Sequence, residues 1–391
     1  MFPPINCVDF NSNGNDKKMT QSHDDRAQPA PILDSYEAYG CKVNQIDVDE
    51  LFRRYEQTGF LYPAKMQRLA PYLSIIKENW RKALRGGELI HWVATYDDRN
   101  NDSWATVSSW RTTNTGWASQ HLTSNGSPIA ARAVMLGGSA VRIRNGMDAS
   151  DQNWFQRNNR YANKIFGSLT ETLAVQDAWI GDYSYYFMPL GIPPSSTHTI
   201  HVERADHASS TEIHQFVTAS RSPVYAEAEG FMDADLELEL VDALYRRVRL
   251  RRFRHIYVAR DRTTSQIVGL ASAYRGPLGL NFSFLENRCD IVLARTLPPA
   301  DAIDISSSLF AAVTPTYGDF ELQKIPTVID TRHAPTLAAL SGEFIRDYAQ
   351  GIWLQPGYEQ WYRHTERFFD RIVHAERFRG LGSGKQVEHA S

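Results

Sequence analysis

The sequence predicts an α/β protein in which one unit, a central mixed β-sheet flanked by helices, is built twice in tandem, and three observations carry the expectation. The stretch Arg254 to Arg275, RHIYVARDRTTSQIVGLASAYR, holds two alternating apolar runs around a polar turn, the pattern of a β-hairpin. An echo lies upstream in His91 to Arg111, HWVATYDDRNNDSWATVSSWR: His255 follows His91 by 164 positions, and Tyr274-Arg275 follows Trp110-Arg111 by the same 164. The 391 residues leave room for two such units of roughly 160 residues, each large enough to bury a core.

The elements follow in order. Residues 1–30 are polar, contain proline and lack a hydrophobic period, so they read as a loose tail. Asp47 and Glu50 stand at capping-box spacing before a helix to Gln57 whose apolar face is Val48, Leu51, Phe52 and Tyr55. A second helix is expected from about Ala64 to Leu84, stopped by Gly86-Gly87, and the first hairpin comes next. IAARAVML and SAVRIRNG around Gly137-Gly138 read as two strands, and Asp148 or Ser150 as the cap of a helix through WFQRNNRYANKIF. DYSYYFMPL closes the unit as a strand, and the Gly- and Pro-containing LGIPPSSTH is linker chemistry. The expected division is therefore a first domain over 31–190, a linker over 191–198 and a second domain over 199–391. In the second unit HTIHVERAD is strand-like, Ser209 and Glu212 make another capping box, and a helix over about Ala234 to Leu250 presents Leu236, Leu240, Leu244 and Val248. After the hairpin come a strand around Phe284 to Leu293, a helix over Ser306 to Val313, a buried strand IPTVID, a helix in APTLAALSGEF, a strand RDYAQGIWL and an aromatic-rich helix.

Composition narrows the function classes. With 42 Lys+Arg against 45 Asp+Glu, no global field recruits nucleic acid or an anionic membrane. Cys7, Cys41 and Cys289 are far apart and lack paired spacing, which argues against a disulfide scaffold or zinc site and fits a reducing cytoplasm. The N-terminus lacks a signal-peptide pattern, and no apolar run reaches spanning length, so a cytoplasmic protein without a membrane segment is expected. His198, His201, His207 and His214 crowd one region, but strand positions three apart point to opposite faces, so no metal site is expected. The basic run from Arg246 to Arg254 rotates around a helix end without interleaved aromatics, which reads as a solvated helix C-terminus.

The order of cap helix, long helix, hairpin, strand, helix, strand, helix, strand resembles the GNAT acyltransferase superfamily in both halves, and residues 199–355 match better. The most specific pieces are the hairpin YVARDRTTSQIVGLASAYR and IPTVIDTRHAPTLAALSGEF, similar to the family's strand, Ala-containing helix and terminal Gly-Phe. The resemblance implies two central strands that splay apart, with an acyl-CoA such as acetyl-CoA as co-substrate in the gap. Its pyrophosphate would lie at the following helix N-terminus, where unsatisfied N–H groups and the helix dipole favour anions. In the second half this places cofactor contacts at Leu293, Ala294 and Arg295. The loop ARTLPPADAIDISS has no glycine and carries Pro298-Pro299, which supply no N–H, and Leu337 or Ala338 stands where many members have a proton-donating tyrosine.

Transfer to an amine needs a base for the ammonium and a donor for the thioester oxyanion. Glu286, in FSFLENRCD at the entrance to the central strand, is the expected base, with Tyr274 the second catalytic candidate. The aromatic-Arg pairs Trp110-Arg111 and Tyr274-Arg275 can stack on or clamp a planar anion, and His333 precedes a helix where it can contact substrate. Gly137-Gly138 with Arg142 and Arg144 offers amides and charge, or a hairpin turn. Two functions stay open. One is an N-acyltransferase working on a small-molecule or peptide amine through the second half, in which Glu286→Gln lowers turnover more than affinity. The other is a tandem GNAT-like module that binds a ligand or protein without catalysis.

Overall fold

The computed structural model describes residues 35–144, 150–197, 199–206, 209–232 and 235–383. The expected tail over 1–30 and the Asp148 cap lie outside the described residues. The first half runs β1 (Lys42–Val43), α1 (Val48–Gln57), α2 (Pro63–Leu69), α3 (Leu73–Arg85), the hairpin β2 (His91–Asp98) and β3 (Ser103–Arg111), β4 (Gly116–Ser124), α4 (Pro128–Arg144), β5 (Ser150–Phe155), a short α5 (Arg160–Ala162) and β6 (Ala178–Pro189). The second runs β7 (Ile200–Arg204), α6 (Ser210–Ser220), α7 (Pro223–Ala228), α8 (Glu239–Arg246), the hairpin β8 (Phe253–Asp261) and β9 (Ile267–Arg275), β10 (Cys289–Leu293), α9 (Pro299–Tyr317), β11 (Lys324–Asp330), α10 (Ala334–Ala339), β12 (Glu343–Trp353) and α11 (Gln355–Ser383). The expected fold class holds: a mixed sheet flanked by helices, built twice.

Local sequence explains most boundaries. Asp47 caps α1 through its carboxylate, which accepts the N–H groups of Asp49 and Glu50, and the buried face is the expected Val48, Leu51, Phe52 and Tyr55. Glu50 does not close the box, because it pairs with Arg53 and Arg54. The single helix expected to Leu84 is broken by a turn at Ala70–Tyr72, where Pro71 has no N–H for the helical ladder. The Ser209–Glu212 box does not form either: the Ser209 hydroxyl donates to Asp206, and Glu212 pairs with Arg260. α8 begins only at Glu239, after Leu238 takes a left-handed backbone, and it buries Val241, Asp242 and Tyr245, leaving Leu240 65% exposed.

The largest correction concerns residues 128–144, which form the continuous helix α4 where two strands joined at Gly137-Gly138 are expected. The glycines serve close packing: a Cβ on Gly137 would stand 2.7 Å from Cys41 Sγ, and one on Gly138 would stand 3.0 Å from the Trp92 ring. Residues 150–155, expected in a helix, form β5.

The two hairpins occupy equivalent places, with a shift. Trp110 lies opposite His91, whereas Tyr274 lies opposite Arg254 and His255 opposite Ala273. The second strands keep the 164 spacing, and the first strands are one residue out of step.

The described strands form one twelve-stranded sheet in the order β1-β2-β3-β4-β5-β12-β6-β11-β10-β9-β8-β7. Five strands of each half lie in a row, and the sixth crosses into the other half. β6 pairs with β11 along Lys324–Asp330, and β12 pairs with β5 at Ala349–Trp353, while β6 and β12 pair with each other at the centre. Residues 35–190 produced alone would leave β5 and β6 without these partners. That fragment should be insoluble or self-associated and should become soluble when co-expressed with residues 191–391; a monomeric, cooperatively unfolding fragment would contradict the exchange.

Candidate functional site

Each half contains a parallel pair that diverges. β4 pairs with β5 only from Gly116 to Ser119, and the edge from Gln120 to Ser124 continues without β5. β10 pairs with β11 only from Cys289 to Ile291. These are the two positions at which the resemblance implies an acyl-CoA cleft.

The second splay is filled by the chain itself. Arg221, buried after α6, donates to the Ile291 carbonyl at 2.9 Å and to Asp290 at 3.3 Å, stands 3.6 Å from Asp330, and lies over the Tyr183 ring at 4.5 Å. Around it is a closed ionic core. Arg288 bonds Glu229 at 2.7 Å, Tyr274 donates to the other Glu229 oxygen at 2.5 Å, and Tyr225 donates to Asp290 at 2.6 Å. Burial opposes ionisation of Glu229, but Arg288 and the Tyr274 hydroxyl outweigh it and hold the carboxyl below its ordinary range.

Trp110 and Tyr274 converge, and the planar cation between them is the chain's own Arg252, 4.6 Å from one ring and 5.5 Å from the other. Their arginine neighbours separate: Arg111 donates to the carbonyls of Leu89, Thr113 and Asn114, and Arg275 to the Thr316 carbonyl and Asp319. Glu286 is fully buried, with Oε1 accepting the Gly279 N–H at 2.6 Å and Oε2 without a partner. Burial pushes its carboxyl up to about 8. Leu293 is buried in β10 opposite Gly269, the Ala294 N–H is taken by the Val268 carbonyl, and Arg295 donates to the carbonyls of Ser220 and Arg221. His333 lies in the turn before α10, its pKa lowered chiefly by burial. The basic run is not all solvated as expected: Arg252 and Arg254 are fully buried, while Arg246, Arg249 and Arg251 stay exposed. His198 and His207 lie outside the described residues, and among the described ones no group of three His, Cys, Asp or Glu could hold a metal ion. No helix among them is long and apolar enough to cross a membrane.

The first splay differs. Its vertex is occupied by the segment after β9: the Leu280 carbonyl accepts from Gln120 Nε2 at 2.7 Å, Asn281 donates to Gln120 Oε1, and Phe282 stacks on His121 at 4.3 Å. A bulge with His121 at φ 56° bends β4 away there. Beyond it the β4 edge runs straight into Asn125-Gly126-Ser127 and the N-terminus of α4. Gly126 sits at φ 96°, and the Ser127 hydroxyl accepts the Ala130 N–H at 3.2 Å. Gly126 and Pro128 are signals for this helix start, and the following Gly-Gly masks them because it suggests a turn.

No protein-family profile matches this chain, and no curated protein sequence matches it. Solved structures similar to it include a tandem GNAT protein from the clavulanic acid biosynthesis pathway (8% identity, 81% of this chain and 98% of that one, TM-score 0.38). They also include Saccharomyces cerevisiae N-myristoyltransferase with bound myristoyl-CoA (9% identity, 84% and 80%, TM-score 0.36) and a GCN5-related N-acetyltransferase from Sphaerobacter thermophilus (10% identity, 68% and 81%, TM-score 0.35). On its own strand order, with a parallel splay in each half and a long helix after each fourth strand, the chain has a distant tandem GNAT-like fold.

Proposed function

We propose that the protein binds a CoA thioester in the splay of its first half and transfers the acyl group to an amine, the second half serving as the supporting unit. The observation that carries this reading is the β4 edge from Leu122 to Ser124, which no strand pairs beyond β3 among the described residues and which leads directly into the glycine-containing start of a 17-residue helix. An extended amide-bearing arm can pair along such an edge, and a pyrophosphate gains from the N–H groups and dipole at the helix start. The second half offers less: Arg221 occupies its splay, and its long helix starts at Pro298-Pro299. A second reading, ligand binding without turnover, is supported by the stack of Phe282 on His121 at the vertex of the first splay.

A paired substitution tests the placement. Ile129 and Ala300 are both exposed in the first turns of α4 and α9, where a carboxylate favours the free helix and therefore spares the fold. Ile129→Glu should weaken coenzyme A binding about tenfold in calorimetry, and Ala300→Glu should leave it unchanged. The reverse pattern would move the site to the second half, and no binding at millimolar ligand would sink the acyl-CoA reading. Binding without thiol release from acetyl-CoA, across a panel of amines, would select the second reading.

A further inference from the structure

The vertex of the first splay is closed by residues from the second half of the chain. After β9, residues 276–284, GPLGLNFSF, bury an apolar side chain at every second position: Leu278, Leu280, Phe282 and Phe284. The segment leaves its own half and reaches from Gln120 on β4 to Ser283, whose carbonyl accepts from the Tyr185 hydroxyl on β6 and whose Oγ bonds the Tyr348 hydroxyl on β12 at 2.8 Å. On α3, the Trp80 indole N–H donates to the Gly279 carbonyl at 2.8 Å and Asn79 to the Leu278 carbonyl at 3.0 Å. The Gly279 N–H donates to Glu286 Oε1 at 2.6 Å. Only glycine fits there, since φ is 80° and a Cβ would stand 2.4 Å from Ile76. Tied to α3, β4, β6 and β12, the segment is a wall rather than a lid.

Phe282 is the part of that wall that meets β4. The bulge in β4 lets two successive side chains reach the segment: Gln120 holds it by hydrogen bonds, and the His121 ring lies flat on Phe282, with 4.3 Å between centres and 16° between planes. Trp80 stacks 5.6 Å from both rings, and Phe52 and Tyr55 meet Phe282 edge-on at 5.3 and 5.5 Å. Close packing on that side holds the ring in place. A donor with its pyrophosphate at the start of α4 and its amide-bearing arm along the β4 edge would run back from Ser124 toward Leu122. Its thioester would then arrive beside His121, and the carbons beyond it would meet Phe282.

We propose that Phe282 determines acyl length at this site: it closes the inner end of the first splay and restricts the donor to a short acyl group, acetyl rather than butyryl or longer. The inference rests on the reading of this splay as the acyl-CoA site, and it holds whether or not the bound thioester goes on to react. Its physical basis is packing. Methylenes forced into a filled aromatic layer push rings off their rotamers, which cancels what their burial gains. Where the ring is cut back, each methylene that enters the space gains about fourfold in affinity. The second half thereby contributes a specificity residue to the site it supports.

The test is calorimetric titration of the full-length protein with coenzyme A and its acetyl, butyryl and hexanoyl thioesters. The parent should bind acetyl-CoA at least about tenfold tighter than butyryl-CoA or hexanoyl-CoA. Phe282→Ala should leave coenzyme A affinity unchanged and raise the hexanoyl-to-acetyl affinity ratio at least about tenfold. Phe282→Leu, which opens less space and disturbs the packing less, should raise the butyryl-to-acetyl ratio about fourfold and keeps the test available should the alanine variant fail to fold. Phe320→Leu alters a fully buried ring of the second half and should leave every ratio as in the parent, which separates an opened site from a loosened core. Equal affinity of the parent for all the thioesters, Phe282 variants that keep the parent's ratios, or a Phe320→Leu protein that shifts them as much would each overturn the role of Phe282 while coenzyme A binding leaves the acyl-CoA reading standing. No binding of coenzyme A itself would overturn both.

Discussion

Replacing Arg288 by Met is expected to cost about 3 to 5 kcal/mol of stability, the range for removing one partner of a fully buried ion pair. Both Arg288 and Glu229 have no exposed surface, and the methylene stem of Met replaces volume but not charge. Glu229 would keep the Tyr274 hydroxyl and lose its one direct ionic contact among the described residues, leaving a carboxylate far from water. The surface triad of Arg157 with Glu171 and Asp182 supplies the contrast. Its bonds are as short, 2.7 and 2.5 Å, yet all three side chains are at least a third exposed, and Arg157→Gln should cost less than about 1 kcal/mol. Urea unfolding of the two variants checks the difference. The double variant Arg288→Met, Glu229→Gln should recover part of the loss, since the pair is coupled. An Arg288→Met protein within about 1 kcal/mol of the parent would mean that the core reorganises around the gap.

The second expectation concerns Glu286, whose carboxyl is pushed up to about 8 by burial. An unfolded glutamate ionises near 4.5, so between these values the unfolded chain has released a proton that the folded chain still holds. Glu286 therefore favours the fold fully below about pH 4.5, and that contribution is lost as pH rises to about 8. Its size is on the order of 4 kcal/mol. Glu286→Gln keeps an oxygen for the Gly279 N–H and cannot ionise, so the variant should match the parent near pH 5 and exceed it by a few kcal/mol at pH 9. Denaturant midpoints at the two pH values measure this. Equal midpoints at pH 9 would refute the burial argument. A collapse of acyl transfer with unchanged coenzyme A affinity would instead return Glu286 to the role of base that its place before β10 first suggested.

What the sequence reveals of this fold depends on the range over which the deciding physics acts. Both hairpins, α1 with its Asp47 cap and the strand at β6 are legible because alternation and capping are local. Helix α4 is not, since the reason for Gly137 and Gly138 lies in Cys41 and Trp92, far away in sequence. Arg252 and Arg254 look like surface cations for the same reason: their partners are the carbonyls of Thr112 and Leu236 and the rings of Trp110 and Tyr274, and only folding gathers these. The exchange of β6 and β12 between the halves is less legible still. Period-two patterning identifies β6 and β12 as strands, but no pattern along either one says that it crosses to the other half.

That crossing also sets the order of events at the ribosome. Gln152 on β5 bonds Gln350 on β12, and 198 positions separate them. At roughly 5 to 20 residues per second, the start of the sheet waits roughly 10 to 40 seconds for the strand that closes it. Throughout that interval β5 presents an open edge, and the nascent chain depends on chaperones or on slow, non-local closure rather than on finishing one half before the next begins.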